Sequence, residues 1–219
     1  MHFTNLIQFL SELKNNNNKP WFDTNRSRYE ELRKEWLVFV QDIIKRLGTF
    51  DSSIAHLEAK DCIFRINRDV RFSNDKSPYK SNFAAYFSRG GKKSHFAGYY
   101  LHIDPSEIFI AGGVWMPEPP YLLAIRKEID YKFDEFRQIV EGDSFKKNFR
   151  QLSDEGKLSQ VPKGFEKDNP AADYLKLKSF IGSKEFSQSE VEKRDFSDKV
   201  LASFKELKPL IDFLNRSFD

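Results

Sequence analysis

Phe83-Ala84-Ala85-Tyr86-Phe87-Ser88, Arg89-Gly90-Gly91-Lys92, Tyr99-Tyr100-Leu101-His102-Ile103, Asp104-Pro105-Ser106 and Glu107-Ile108-Phe109-Ile110-Ala111, closed by Gly112-Gly113, is the stretch that decides the fold. Its three runs are short and rich in aromatic and β-branched residues, and turn chemistry separates them, so each reads as a strand. Glycine pairs permit the positive backbone angles of a hairpin turn, which assigns 89–92 to one turn and 104–106 to the next. Gly112-Gly113 is read as the break that ends the third strand. Upstream, Cys62, Phe64 and Ile66 alternate with Ile63, Arg65 and Asn67, the period of two that a half-buried strand requires. The middle of the chain is therefore an antiparallel meander.

Helical spacing flanks it on both sides. Leu6, Ile7, Leu10 and Leu13 line one side of a short helix that Thr4 would cap, and Asn15 to Asn18 end it. Lys19-Pro20-Trp21-Phe22-Asp23 reads as a turn with Asp23 as the next cap. Tyr29, Leu32, Trp36, Phe39, Ile43 and Leu47 then mark a helix of about 25 residues stopping near Gly48. Beyond the meander, Pro119-Pro120 suits a helix start, and Leu122, Ile125, Ile129, Phe133 and Phe136 continue it. Phe145, Phe149 and Leu152 add a further turn, residues 161–170 an ordered loop, and residues 175–186 a strand candidate. Val191, Phe196, Val200, Phe204 and Leu207 form the last helix, with Pro209 as its kink. Helices, strands, then helices again is the order of an α+β fold, expected here as one domain over 1–219.

Composition sets limits on function. The chain has 219 residues, 39% of them hydrophobic, enough to bury a core without disulfides or a structural metal. No uninterrupted apolar run exceeds that of residues 36–40, far short of the ~20 residues a membrane span needs, so no membrane partner is expected. The start lacks the basic and apolar regions of a signal peptide, and Cys62 is the lone cysteine, so a soluble cytoplasmic protein is expected.

Net charge is +3, but it is distributed unevenly. Lys60, Arg65, Arg68, Arg71, Lys76, Lys80, Arg89, Lys92 and Lys93 face only Asp61, Asp69 and Asp75 within residues 60–93, a local surplus of +6. Guanidinium groups match carboxylate or phosphate oxygens, and an arginine buried without an anion costs several kcal/mol, roughly. Arg65, Arg68, Arg71, Lys76 and Lys80 are accordingly the candidate ligand-binding residues, with Asp69 and Tyr79 as orienting or proton-transferring groups. Trp115, behind Gly112-Gly113, is a candidate pocket wall. The competing reading is an internal ion-pair network with no ligand.

Arg65-Ile66-Asn67-Arg68-Asp69-Val70-Arg71-Phe72, followed by Asp75-Lys76-Ser77-Pro78-Tyr79-Lys80, resembles the signature of the bacterial family called domain of unknown function 2461. The likeness extends through Lys19-Pro20-Trp21-Phe22-Asp23, Gly98-Tyr99-Tyr100, Gly112-Gly113-Val114-Trp115, Pro162-Lys163-Gly164-Phe165 and Tyr174-Leu175. It covers nearly the whole chain and implies no particular activity.

Other constellations are weaker. His2, His56, His95 and His102 form no zinc-helix pair; His102 shares strand parity with Tyr100 and Asp104, where a hydrogen-bonded strand histidine is expected before a metal. Cys62 reads as a small buried hydrophobe. Gly90-Gly91-Lys92-Lys93-Ser94 lacks phosphate-loop spacing, and no dinucleotide or serine-hydrolase motif occurs. Four functions stay open. The leading one is a pocket for a phosphate- or carboxylate-bearing small ligand. The others are a nucleic-acid-binding module using residues 60–93, a phosphoryl- or acyl-transfer or hydrolytic enzyme using Asp69, and a structural ion-pair network. No cofactor is named by the sequence.

Overall fold

The computed structural model describes residues 1–218. Its elements run α1 (Phe3–Asn15), α2 (Lys19–Thr24), α3 (Arg26–Leu47), α4 (Ala59–Cys62), β1 (Phe83–Phe87), β2 (Gly98–Ile103), β3 (Ile108–Val114), α5 (Pro119–Tyr131), α6 (Phe133–Glu141), α7 (Asp143–Phe149), α8 (Ala172–Leu175), β4 (Phe180–Glu185), α9 (Gln188–Val191) and α10 (Phe196–Arg216). The four strands form one antiparallel sheet in the order β1-β2-β3-β4, and the class is α+β. No helix among the described residues is long and apolar enough to cross a membrane.

Contacts group the chain into two compact units. The first holds Met1–Phe87, Tyr100–Phe109 and Glu185–Leu201; the second holds Ser88–Tyr99, Ile110–Lys184 and the chain from Ala202 on. In the first, the apolar stripe of α1 (Leu6, Leu10 and Leu13, all fully buried) and that of α3 enclose an aromatic core. Trp36 meets Phe83 of β1 at 5.9 Å, and Phe3 meets Phe196 edge-on at 5.1 Å. In the second, Tyr99 of β2 lies 5.1 Å from Phe204 of α10, and Phe136 of α6 touches Phe180 and Phe213.

The α10 helix lies so close to the sheet that a Cβ on Gly112 would stand 2.7 Å from a Leu207 methyl carbon. Gly113, at φ +126°, would bring a Cβ within 1.9 Å of the Phe180 carbonyl oxygen of β4. The glycine pair thus continues β3 rather than breaking it, and its missing side chains are what let β4 and α10 approach.

Local chemistry explains the other departures from expectation. Thr4 does not cap α1; His2 holds the cap position without a side-chain bond. Residues 19–24 are a helix, not a turn, because Asn18 accepts the Trp21 amide at 3.0 Å and Pro20 falls in the first turn, where its missing donor costs nothing. Asp23, expected as a cap, instead receives Lys19 and Arg26. Residues 62–67 form no strand: Cys62 closes α4, and pairing is limited to isolated bridges at Ile63–Ala85 and Asn67–Tyr79. Pro209 lies inside α10, which runs through it.

Candidate functional site

In the first unit, the chain leaves Ile63 as a loop whose base is tied by backbone bonds. Phe64 N–H donates to the Ala84 carbonyl at 3.2 Å, Lys80 N–H to Ile66 at 2.8 Å, and Arg68 N–H to Pro78 at 2.9 Å. Asn17, in the turn after α1, clasps Tyr79 on both sides, its Nδ2 reaching the Tyr79 carbonyl at 2.9 Å and its Oδ1 the Tyr79 amide at 3.0 Å. The Tyr79 ring is buried and stacks on Phe22 with centroids 4.0 Å apart. Tyr79 therefore anchors the loop to α2 through its ring and to the turn after α1 through its backbone.

Inside the loop the five candidate cations divide. Arg68 turns inward: its guanidinium holds Asp75, the Ser77 carbonyl at 3.1 Å and, more weakly, the Ser73 hydroxyl at 3.4 Å. Bonds from Ser77, joined by Arg68, pull the Asp75 carboxyl down to about 2. Arg71 grips Asp69 through two parallel bonds at 2.9 and 2.7 Å, and this pairing holds the Asp69 carboxyl below its usual range. A carboxylate so engaged is a weak base and a weak nucleophile. Lys76 donates to the Val70 carbonyl at 3.0 Å, and Arg65 is exposed. Lys80 Nζ stands 5.2 Å over the Phe64 ring.

That ring leads to residues the sequence reading placed outside the cluster. Phe64, 40% exposed, meets Tyr100 of β2 at 6.2 Å. Tyr100 and His102 project from the same side of β2, as i and i+2 must. The Tyr100 hydroxyl and His102 Nδ1 lie 2.9 Å apart, and Phe109 of β3 stacks on His102 at 4.8 Å. Burial pushes the Tyr100 phenol up to about 12 and lowers the His102 imidazole, against the opposing pull of Glu107, 3.8 Å from Nε2. A neutral ring accepting the Tyr100 proton at Nδ1 must carry its own proton at Nε2, toward Glu107. Shared parity of Tyr100 and His102 was the signal for this pair.

Asp104, third in that parity series, belongs to a turn. It accepts from Ser106 (2.8 and 2.6 Å) and Ser81 (2.8 Å), with Lys14 at 3.8 Å. Among the described residues no group of three His, Cys, Asp or Glu side chains stands together to hold a metal. Trp115 lies in the second unit, 64% exposed, with its indole N–H 3.3 Å from Glu155.

Each unit holds a cleft among its described residues. One, about 10 Å³ beside Phe64, Ile66 and α3, is the size of a single water. The other, about 570 Å³ in the second unit between α6, α7 and α10, is rimmed by Glu135, Glu206 and Asp212 with Arg216, an acidic lining that repels anions.

A family model described as "Conserved hypothetical protein (DUF2461)" matches residues 5–213. No curated protein and no solved structure matches the chain.

Proposed function

The chain belongs to the DUF2461 family, and from that premise we propose that it binds a small ligand bearing a phosphate or carboxylate group at the basic loop. One observation carries the reading. Residues 65–80 hold five cations (Arg65, Arg68, Arg71, Lys76, Lys80) and two carboxylates, both of which are engaged by Arg68 and Arg71. The segment keeps a positive surplus that its own acids cannot neutralise.

The loop divides the work among its residues. Arg68 and Tyr79 hold its shape; Arg65 and Lys80 flank Phe64 and supply the charge; Phe64, Tyr100 and His102 offer an aromatic floor with a hydroxyl. Asp69, held ionised by Arg71, serves orientation better than proton transfer, so the geometry favours binding over an enzymatic use of Asp69. A thermal-shift screen over phosphorylated metabolites and nucleotides tests the proposal. At a hundred times its dissociation constant a ligand adds about 2.7 kcal/mol, roughly 5 to 10 °C for a chain this size. The stabilisation is expected to vanish in an Arg65→Ala/Lys80→Ala double variant. A screen without a stabiliser, or an equal shift in the double variant, contradicts it.

Nucleic acid is a second reading, supported by Phe72. It is 96% exposed at the loop tip with the Arg71 guanidinium 5.8 Å from its ring, the pairing of aromatic face and cation on which bases stack. Single-strand affinity would then fall with salt at a log–log slope near −0.7 per neutralised phosphate. An oligonucleotide that fails to bind at low salt ends this reading.

A further inference from the structure

We propose that the buried guanidinium of Arg126, in the second unit, is the centre of a separate binding site for a small oxyanion, a carboxylate or phosphate group. Arg126 is on α5, only 8% exposed. Its Nη2 donates to the Leu177 carbonyl at 2.9 Å, and its Nε is enclosed without any acceptor. No carboxylate among the described residues lies within 4 Å of it. A guanidinium cannot shed its charge at physiological pH, so a buried one without an acid is a charge awaiting a partner.

The unit's acids are directed elsewhere. Glu128, two residues along the same helix, falls about 200° around the axis and serves Arg216 instead, at 3.6 Å, with Glu135 a second partner to Arg216 at 2.9 Å. The more exposed arginine has two carboxylates and the buried one has none.

The segment that Arg126 touches is itself cationic. Lys176 and Lys157 share the single carboxylate of Asp173, at 3.3 and 3.6 Å. Lys178, half-buried, pairs with no carboxylate among the described residues. Next to it, Ser179 accepts the Met116 amide at 2.9 Å. That bond holds Met116 at φ 42°, a left-handed conformation that a non-glycine residue adopts at a cost and that recurs where ligands are clamped. Two oxygens of one carboxylate or phosphate match the spacing of two guanidinium nitrogens, which fixes the class of ligand.

Melting the full chain in sodium phosphate, in sodium acetate and in sodium chloride at equal ionic strength tests this. Phosphate, acetate or both are expected to raise the midpoint by several degrees over chloride in the wild type. The same shift is expected in Arg65→Ala/Lys80→Ala, which separates this site from the basic loop. Arg126→Met, which removes the buried charge at similar volume, is expected to melt at least as high in chloride and to lose the response. Should Arg126→Met fail to fold, Arg126→Lys keeps the charge without the fork, and titration calorimetry with phosphate is expected to show at least tenfold weaker binding. A response retained in Arg126→Met, wild-type affinity in Arg126→Lys, or no response in the wild type overturns the proposal. If the response is lost only in Arg65→Ala/Lys80→Ala, the anion belongs to the loop and Arg126 has no ligand.

Discussion

Removing the Arg68 guanidinium should loosen the basic loop whether or not a ligand is bound. The side chain is 25% exposed and its partner Asp75 is 61% exposed, so the ion pair itself contributes little, about 0.2 to 1 kcal/mol. The bond to the Ser77 carbonyl at 3.1 Å is part-buried and charge-assisted, about 1.5 kcal/mol at the low end of its range because water reaches the vacated carbonyl. Together these give about 2 kcal/mol, concentrated on a segment closed by three backbone bonds. Trypsin reads this directly, since Arg71 and Lys76 are exposed on the loop. When opening and closing are fast relative to cleavage, the rate follows the open population, and 2 kcal/mol corresponds to about 30-fold faster cutting in Arg68→Ala. An unchanged cleavage rate, or one raised only in the ligand-free protein, would refute the assignment of Arg68 as an internal strut.

Three further outcomes follow from packing and titration. Burial lowers the His102 imidazole below its ordinary value near 6.5, so its neutral form stabilises the fold above that pH, and stability should fall as pH drops below 6.5 toward the folded value; denaturant melts from pH 7.5 to 5 should show a smaller decline in His102→Gln. Gly113→Ala places a carbon where the Phe180 carbonyl oxygen stands and demands a disallowed φ, so the variant is expected to lose more than about 3 kcal/mol in urea titration or to fail to fold. Phe136, fully buried against Phe180, Phe213 and Tyr174, should cost about 3 to 5 kcal/mol on truncation to alanine by the same titration.

The α+β class and three of the strands were legible because their signals are local, and the fourth, Phe180–Glu185, falls within the strand candidate at 175–186. Short β-rich runs divided by Gly-Gly and Asp-Pro-Ser can form little else, and long amphipathic helices need a sheet to bury their stripes. What was not legible depended on distant parts of the chain. Gly112-Gly113 reads as a breaker until β4 and α10 are known to press against it. Cys62, Phe64 and Ile66 alternate as a strand would, yet Cys62 ends a helical turn while Phe64 leans over the sheet toward Tyr100. The basic surplus was visible in the sequence. Its division was not, because which arginine meets which acid depends on a loop closure set by Asn17 and Phe22, about 60 residues upstream of Tyr79. Arg126 carried no sequence signal, since one arginine on an amphipathic helix ordinarily faces water.

Backbone amide NMR during titration with the best phosphorylated stabiliser locates the anion most directly. Shift changes concentrated on residues 64–66, 80, 100 and 102, and abolished by Arg65→Ala/Lys80→Ala, are the predicted result. Changes spread evenly over the surface lysines, or confined to residues outside the basic loop and the Tyr100–His102 floor, would contradict it.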